Sequence, residues 1–251
     1  MKVSLMMIVK NEIVGMKLIC PRIKNEWLHE VVMCDGGSTD GSIEYAESLG
    51  YRVVRQKPLV KKKIGHGDVL TDGIRQGIEA CTGDYILMFT PDNNMIPEKI
   101  PEIIAKAKEG YDMVVCSRYA DGAKSADDTL LSGFGNWMFT TMVNVLFGAK
   151  YTDVLGFYRI YRKDLLRELE IDIKLTIDTQ LCIRCAIDNK KVVDIGGDEP
   201  ARIGGQSSTI ALKNGVQELS TIMSEFSVHL KNTFRSKFLG HAPVRTNLKK
   251  V

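Results

Sequence analysis

No apolar stretch in this sequence reaches the roughly 18 residues that a membrane-spanning helix needs. No cleavable leader is expected either, because Met1-Lys2-Val3-Ser4-Leu5 runs straight into a strand-like segment. Internal repeats and low-complexity segments are missing, which excludes solenoids and arrays. The charge excess is small: 34 Lys and Arg against 31 Asp and Glu give +3, too little to argue for a nucleic-acid partner. Cysteines are few and scattered, and Cys34, Cys81 and Cys116 sit in or beside apolar runs. Cys182 and Cys185 form one pair at C-x-x-C spacing with no second pair nearby, so they read as small buried hydrophobes in a reducing compartment.

The chain of 251 residues, 44% hydrophobic and 26% charged, is long enough for a substantial core. Strand and helix patterns alternate through the first 117 residues. Strands are expected at 3–9, 31–34, 51–55, 85–89 and 113–116, with helices at 12–19, 43–49, 67–80 and 97–108. That alternation implies an α/β fold with a mostly parallel sheet, helices on both faces and right-handed crossovers. The remainder is less regular, with helices expected at 132–147, 164–169, 179–189 and 214–231 and strands at 156–161 and 191–195. No linker-like stretch separates the two regions, so a single domain over 1–231 is expected, followed by a basic tail at 232–251 carrying Arg235, Lys237, Arg245, Lys249 and Lys250. The apolar segment around Trp137 to Phe147 suits core packing or a dimer interface, with a membrane-lying helix as the competing reading.

Chemistry concentrates where strands end. Val31-Val32-Met33 leads into Cys34-Asp35-Gly36-Gly37-Ser38-Thr39-Asp40-Gly41-Ser42, a strand ending on an acid, turning on glycines and restarting as a helix capped by Ser38, Thr39 or Asp40. At the carboxyl edge of an open α/β sheet, Asp35 can accept hydrogen bonds from a base or ribose. A capped turn explains the glycines and hydroxyls equally well. Val9-Lys10-Asn11-Glu12 puts another carboxylate at the same edge, though an acid there also suits a helix N-terminus. Gly65-His66-Gly67-Asp68 allows close approach to a diphosphate, but it lacks the third glycine of a dinucleotide fingerprint.

Thr90-Pro91-Asp92-Asn93-Asn94 follows a fully apolar strand and delivers a carboxylate into a polar turn, as a divalent cation on phosphates requires; an Asx turn is the alternative. Arg118, in Ser117-Arg118-Tyr119, can pair with phosphate oxygens. Asp153 precedes a Gly-aromatic strand, where it can hold sugar hydroxyls or act as a base. Arg202-Ile203-Gly204-Gly205-Gln206 is a basic, glycine-rich loop suited to phosphates.

In order and spacing these segments resemble the family-2 glycosyltransferases of GT-A fold, and among them the dolichyl-phosphate mannose synthase-like branch, over residues 4 to about 208. The resemblance implies a nucleotide-binding half over 1–117 and an acceptor-side half over 118–231. It implies nucleotide contacts from Val9, Asn11, Glu12, Asp35, Gly36, Gly65, His66, Gly67, Asp68, Pro91 and Asp92. Asp153 and Arg118 take the catalytic positions, while Arg118, Arg202 and Gln206 face phosphate or acceptor. Asp92, with Asn94, would hold Mg²⁺ or Mn²⁺, and Asp178 matches an acid on the helix that follows. Thr90 stands where the family carries the first acid of its metal motif, so metal binding is expected to lean on the donor diphosphate.

The activity implied is inverting sugar transfer from a nucleoside diphosphate sugar to a glycan hydroxyl or a lipid phosphate, in the cytoplasm or at the inner face of a membrane. A hydroxyl acceptor needs a base, for which Asp153 is the candidate, whereas a phosphate does not. Peripheral membrane contact and a homo-oligomer stay open as partners. A sugar-nucleotidyltransferase and a catalytically silent nucleotide-sugar or glycan-binding module are the competing functions.

Overall fold

A computed structural model describes residues 1–57, 66–172, 175–203 and 211–239, with the main chain alone at 66–69, 211–213 and 236–239. The strands are β1 (Val3–Val9), β2 (Glu30–Asp35), β3 (Arg52–Arg55), β4 (Tyr85–Phe89), β5 (Met113–Ser117), β6 (Arg159–Arg162) and β7 (Val192–Gly196). The helices are α1 (Ile13–Ile19), α2 (Ser42–Ser48), α3 (His66–Ala80), α4 (Ile100–Lys108), α5 (Leu130–Phe147), α6 (Leu165–Glu168), α7 (Ile177–Ile187) and α8 (Ala211–Leu239). Seven strands form one sheet in the order β3-β2-β1-β4-β6-β5-β7. Among the described strands only β6 runs antiparallel to its neighbours. The α/β fold with a mostly parallel sheet and helices on both faces is therefore as expected.

The central strands read as continuous apolar runs because both of their faces are covered. Alternation along β1 sorts the two faces: Leu5 and Met7 join Met16, Ile43 and Ile103, while Met6 joins Ile74, Phe139 and Leu181. The register Val9↔Asp35, with Met7 opposite Phe89, brings the ends of β1, β2 and β4 to one edge. Ser117 pairs with Gly196, so β5 and β7 finish there too, and the antiparallel β6 begins there.

Two elements differ from the sequence expectation. The strand expected from residue 156 starts at Arg159, because 153–156 is drawn into a loop around the Arg159 guanidinium. The closing helix runs from Ala211 to Leu239, so residues 232–239 of the expected tail are helical, and the rest of that tail lies outside the described residues.

Helix α5 carries no charged residue over its 18 positions. It buries Phe139 and Val143 but exposes Leu130, Leu131, Phe134, Trp137 and Val145. On α8, which packs beside it, Val216, Leu219, Met223, Leu230 and Phe234 are exposed along one stripe. Among the described residues no helix is long and apolar enough to cross a membrane.

Candidate functional site

The first two strand-end turns are laced together by short polar side chains. Asn11 adopts φ 57°, a left-handed conformation that Asn tolerates better than most residues. Its amide donates to Ser38 Oγ at 2.9 Å, and its Oδ1 accepts from the Thr39 amide at 2.8 Å. The Glu12 amide donates to Ser42 Oγ at 3.1 Å, and the Ile13 amide to Asp40 Oδ2 at 2.9 Å. Of the three expected caps only Asp40 serves α2, accepting from the Ser42 amide at 3.0 Å, while Gly41 (φ 94°) occupies the cap position itself. Asp35 is buried, and its carboxylate accepts the amides of Gly37 at 2.9 Å and Ser38 at 3.1 Å. It therefore holds its own turn, while the Gly36 amide donates to the Val9 carbonyl at 2.8 Å.

The third turn sits against α1. A Cβ on Gly15 would lie 2.1 Å from the Pro91 carbonyl oxygen, so the glycine sets how closely the Asp92 turn approaches Glu12. Thr90, in place of an acid, donates its hydroxyl to Asp92 Oδ1 at 2.9 Å and so orients the carboxylate beside it. Asn93 takes φ 77°, and its Nδ2 donates to the Ala201 carbonyl at 2.8 Å. The Asn94 Nδ2 donates to Asp127 at 2.9 Å.

Arg202 comes from the segment after β7 and lies between the two acids. Its guanidinium donates to Asp92 Oδ2 at 2.9 Å and, through the other terminal nitrogen, to Glu12 Oε1. Burial pushes the Glu12 carboxyl above its ordinary value; Arg202 opposes the shift and the nearby Asp92 charge adds to it. The sequence reading placed Glu12 and Asp92 at one edge and Arg202 in a loop suited to phosphates, but did not pair them.

Arg118 and Asp153 form a second centre. Arg118 Nε and Nη2 donate to the two oxygens of Asp153 at 2.7 and 2.9 Å. Its Nη1 lies 3.6 Å from Glu199 and 3.7 Å from Asp128. Burial works against the Arg118 charge, but the Asp153 hydrogen bonds and the surrounding carboxylates more than offset it and hold the group protonated. Asp153 is fully buried and both of its oxygens accept from the guanidinium, an arrangement that positions the arginine. Asp178, in the first turn of α7, lies 3.5 Å from Arg159, whose guanidinium ties the 153–156 loop to that helix.

Asp127, Asp128 and Glu199 are acids the sequence reading did not single out. Burial raises the Glu199 carboxyl even though it faces Arg118. They stand on irregular segments, where no periodicity marks a residue. Helix α3 begins at His66, one residue before the helix expected from 67, and the side chains of His66 and Asp68, like Gly65 and Gln206, lie outside the described residues. All six cysteines are buried.

The oxygen donors at Asp92 suit a hard divalent cation. Asn94 Oδ1 and Glu12 Oε2 are both shielded and have no hydrogen-bond partner among the described residues. No group of three or more His, Cys, Asp or Glu that could hold a metal occurs among those residues. The Asp92 carboxylate and the unpartnered Asn94 Oδ1 are oxygen donors of the kind a hard divalent cation takes.

Residues 5–170 match the family model for glycosyl transferase family 2. The chain belongs to that family. Its fold is that of family 2 in the GT-A form: over 90% of its length it superposes on 78% of Mycobacterium tuberculosis glucosyl-3-phosphoglycerate synthase, solved with Mn²⁺, uridine diphosphate and phosphoglyceric acid, at a TM-score of 0.64 and 18% identity.

Within the family, glycosyltransferase AglJ of Haloferax volcanii is 30% identical over 65% of this chain and 51% of its own length. The dolichyl-phosphate hexose transferase of the same organism is 26% identical over 65% of this chain and 67% of its own. The undecaprenyl-phosphate mannosyltransferase of Micrococcus luteus is 26% identical over 64% and 67%. The chain thus spans about half the length of the first of these relatives. The likeness to the dolichyl-phosphate mannose synthase-like branch is in keeping with the names of the other two.

Proposed function

We propose that the protein transfers a sugar, with inversion, from a nucleoside diphosphate sugar to a lipid phosphate presented at a membrane surface. The observation that carries this reading is the convergence of Glu12, Asp92 and Arg202 at the carboxyl edge of a family-2 sheet. In such a transfer the acceptor oxygen attacks the anomeric carbon as the carbon–oxygen bond to the diphosphate breaks, and the electron pair leaves with the diphosphate. Negative charge grows on the departing group, so the useful protein groups are cations and oriented donors around it.

Glu12 and Asp35 line the nucleoside side, with the Gly36 backbone beside them. Asp92 and Asn94 would hold Mg²⁺ or Mn²⁺, which when bound offsets charge on the leaving diphosphate. Arg202, once free of its acids, is suited to bidentate contact with phosphate oxygens. Arg118 is steered by Asp153 from behind.

That second centre supports a phosphate acceptor. A hydroxyl must lose a proton, and the carboxylate named for the task is buried and bound to Arg118. A phosphate acceptor is already an anion and needs no base, in keeping with the names of two relatives. The exposed apolar stripes of α5 and α8 suit a docking face for the lipid surface. Both acids of α8 turn inward, Glu218 to Thr176 and Glu225 to Arg184, leaving Lys231 and Arg235 outward, which suits anionic headgroups at the cytoplasmic face.

The deciding experiment is a thermal-shift panel of UDP-, GDP-, CDP- and dTDP-sugars with Mg²⁺ or Mn²⁺, followed by transfer from the stabilising donor to a polyprenyl phosphate. A ligand bound by the native state alone raises its melting point. Stabilisation without transfer to any acceptor and without donor hydrolysis would reduce the protein to a binding module. Release of pyrophosphate would make it a nucleotidyltransferase.

A further inference from the structure

Arg202 is held in place by its neighbours. On one side Asn93 Nδ2 donates to the Ala201 carbonyl at 2.8 Å; on the other the Ile203 amide donates to the Asp92 carbonyl at 2.8 Å. The Arg202 amide itself reaches Asp127 Oδ1 at 3.3 Å. Residues 201–203 are thus stapled across the Asp92 turn, and the guanidinium is directed between Asp92 and Glu12. Both acids are nine-tenths buried at their side chains, and a quarter of the arginine side chain remains exposed.

The arrangement is only half satisfied. One positive charge faces two carboxylates, Glu12 Oε2 lacks a hydrogen-bond partner among the described residues, and so does Arg202 Nε. Buried charge left partly unpaired is costly, and it is relieved when a better-matched set of charges arrives. A diphosphate supplies oxygens that suit the fork of a guanidinium. A divalent cation supplies two positive charges for the oxygens that the guanidinium leaves.

We propose that Arg202 is an internal counter-cation: it occupies the Glu12–Asp92 acid pair while no donor is bound, and so makes divalent-cation binding depend on arrival of the donor diphosphate. The inference rests on the reading of Asp92 as a cation ligand. It goes further in assigning Arg202 a position in the donor-free protein and an order to the two binding events. The exchange lets a site with a threonine in place of its first acid exclude stray cations and still recruit one with the substrate.

The test is a titration of Mn²⁺ alone, with free ion read by electron paramagnetic resonance, against wild type, Arg202→Gln and the double variant Arg202→Gln, Asp92→Asn. Removing the guanidinium takes the acid pair from one net negative charge to two. Arg202→Gln is expected to bind Mn²⁺ at least about tenfold more tightly than wild type, ~1.4 kcal/mol, and the added Asp92→Asn to abolish the gain. Its melting point should also rise further with Mn²⁺ than that of wild type.

Equal Mn²⁺ affinity in wild type and Arg202→Gln overturns the proposal, as does a gain that survives Asp92→Asn. If Arg202→Gln does not fold, Arg202→Met carries the measurement, since methionine keeps much of the side-chain bulk and removes the charge. A gain in Mn²⁺ affinity again supports the proposal, and none overturns it. Wild-type stabilisation in the donor panel is independent of these outcomes, so failure of the counter-cation and failure of the transferase reading are told apart.

Discussion

Asp153 and Arg118 are 35 positions apart in the chain, yet the carboxylate of one receives both the Nε and an Nη of the other, at 2.7 and 2.9 Å, on the floor of the site. The pair exists because β6 enters the sheet antiparallel between β4 and β5, which returns the loop before it to the edge where Ser117 ends. Gly156 makes room for it: a Cβ there would lie 2.8 Å from Asp153 Oδ2. The acid is thereby committed to aiming an arginine.

Asp153→Asn tests that commitment. It leaves a partly exposed guanidinium facing a neutral amide, with Glu199 and Asp128 as its remaining acids, both more distant. Breaking one side of a fully buried pair costs about 3 kcal/mol, and a smaller loss should appear in urea unfolding. Turnover should fall because Arg118 is misplaced, with the shape of the pH–rate profile unchanged. Loss of the acidic limb of that profile, at wild-type stability, would instead identify Asp153 as a base.

Gly15→Ala probes the distance between the first and third turns. The Cβ meets main-chain carbonyl, not the end of a flexible side chain, so Pro91 has to move and Asp92 with it. Overpacking of this kind costs about 1–3 kcal/mol. The variant should unfold at lower urea and lose much of the melting-point rise that the donor gives wild type. A wild-type response to donor would show that the Asp92 turn does not depend on this contact.

Glu218 gives a pH dependence with a definite sign. Burial raises its carboxyl above the ordinary 4.5, and hydrogen bonds from Thr179 and Thr176 only partly oppose the shift. The native state therefore holds this proton more tightly than the unfolded chain. Its contribution to stability is complete below pH 4.5 and is lost as pH rises through the elevated value. Glu218→Gln keeps an acceptor for the two hydroxyls and stays neutral. Urea midpoints from pH 4.5 to 8 should show the variant gaining on wild type as pH rises, and parallel curves would refute the assignment.

Much of the first 117 residues was legible in advance. The strands buried on both faces are short apolar runs, and each ends on a turn rich in Gly, Asn, Asp or Ser, so strand ends and the acids on them could be located by local pattern. What those acids touch could not be. Arg202 lies 110 residues from Asp92 and 190 from Glu12, and no periodicity links partners that far apart. Asp35 had two readings, a nucleotide contact or part of a capped turn, and neither foresaw that its carboxylate accepts the Gly37 and Ser38 amides of its own turn. Gly15 looked like an ordinary helical position, because close approach of two backbones leaves no trace in either segment alone. Helix α5, uncharged all round, gave no sign of which side would face outward.

That outward side supports the last prediction. A helix hydrophobic all round is ordinarily buried, yet Leu130 is 97% exposed and Trp137 63%. Covering a large apolar side chain is worth about 1.5–3 kcal/mol, so several on one face make a docking surface of useful strength. Phe134 and Trp137 lie with ring centroids 5.7 Å apart and form its aromatic centre. The protein should float with vesicles containing phosphatidylglycerol, and less so in high salt as Lys231 and Arg235 are screened. Replacing Phe134 and Trp137 by Ser should abolish flotation while leaving the melting point close to wild type, since neither ring is in the core. Flotation that survives both changes would remove α5 from the membrane contact. A dimer that dissociates on the same substitutions, with no vesicle binding by wild type, would assign the face to a second copy of the chain.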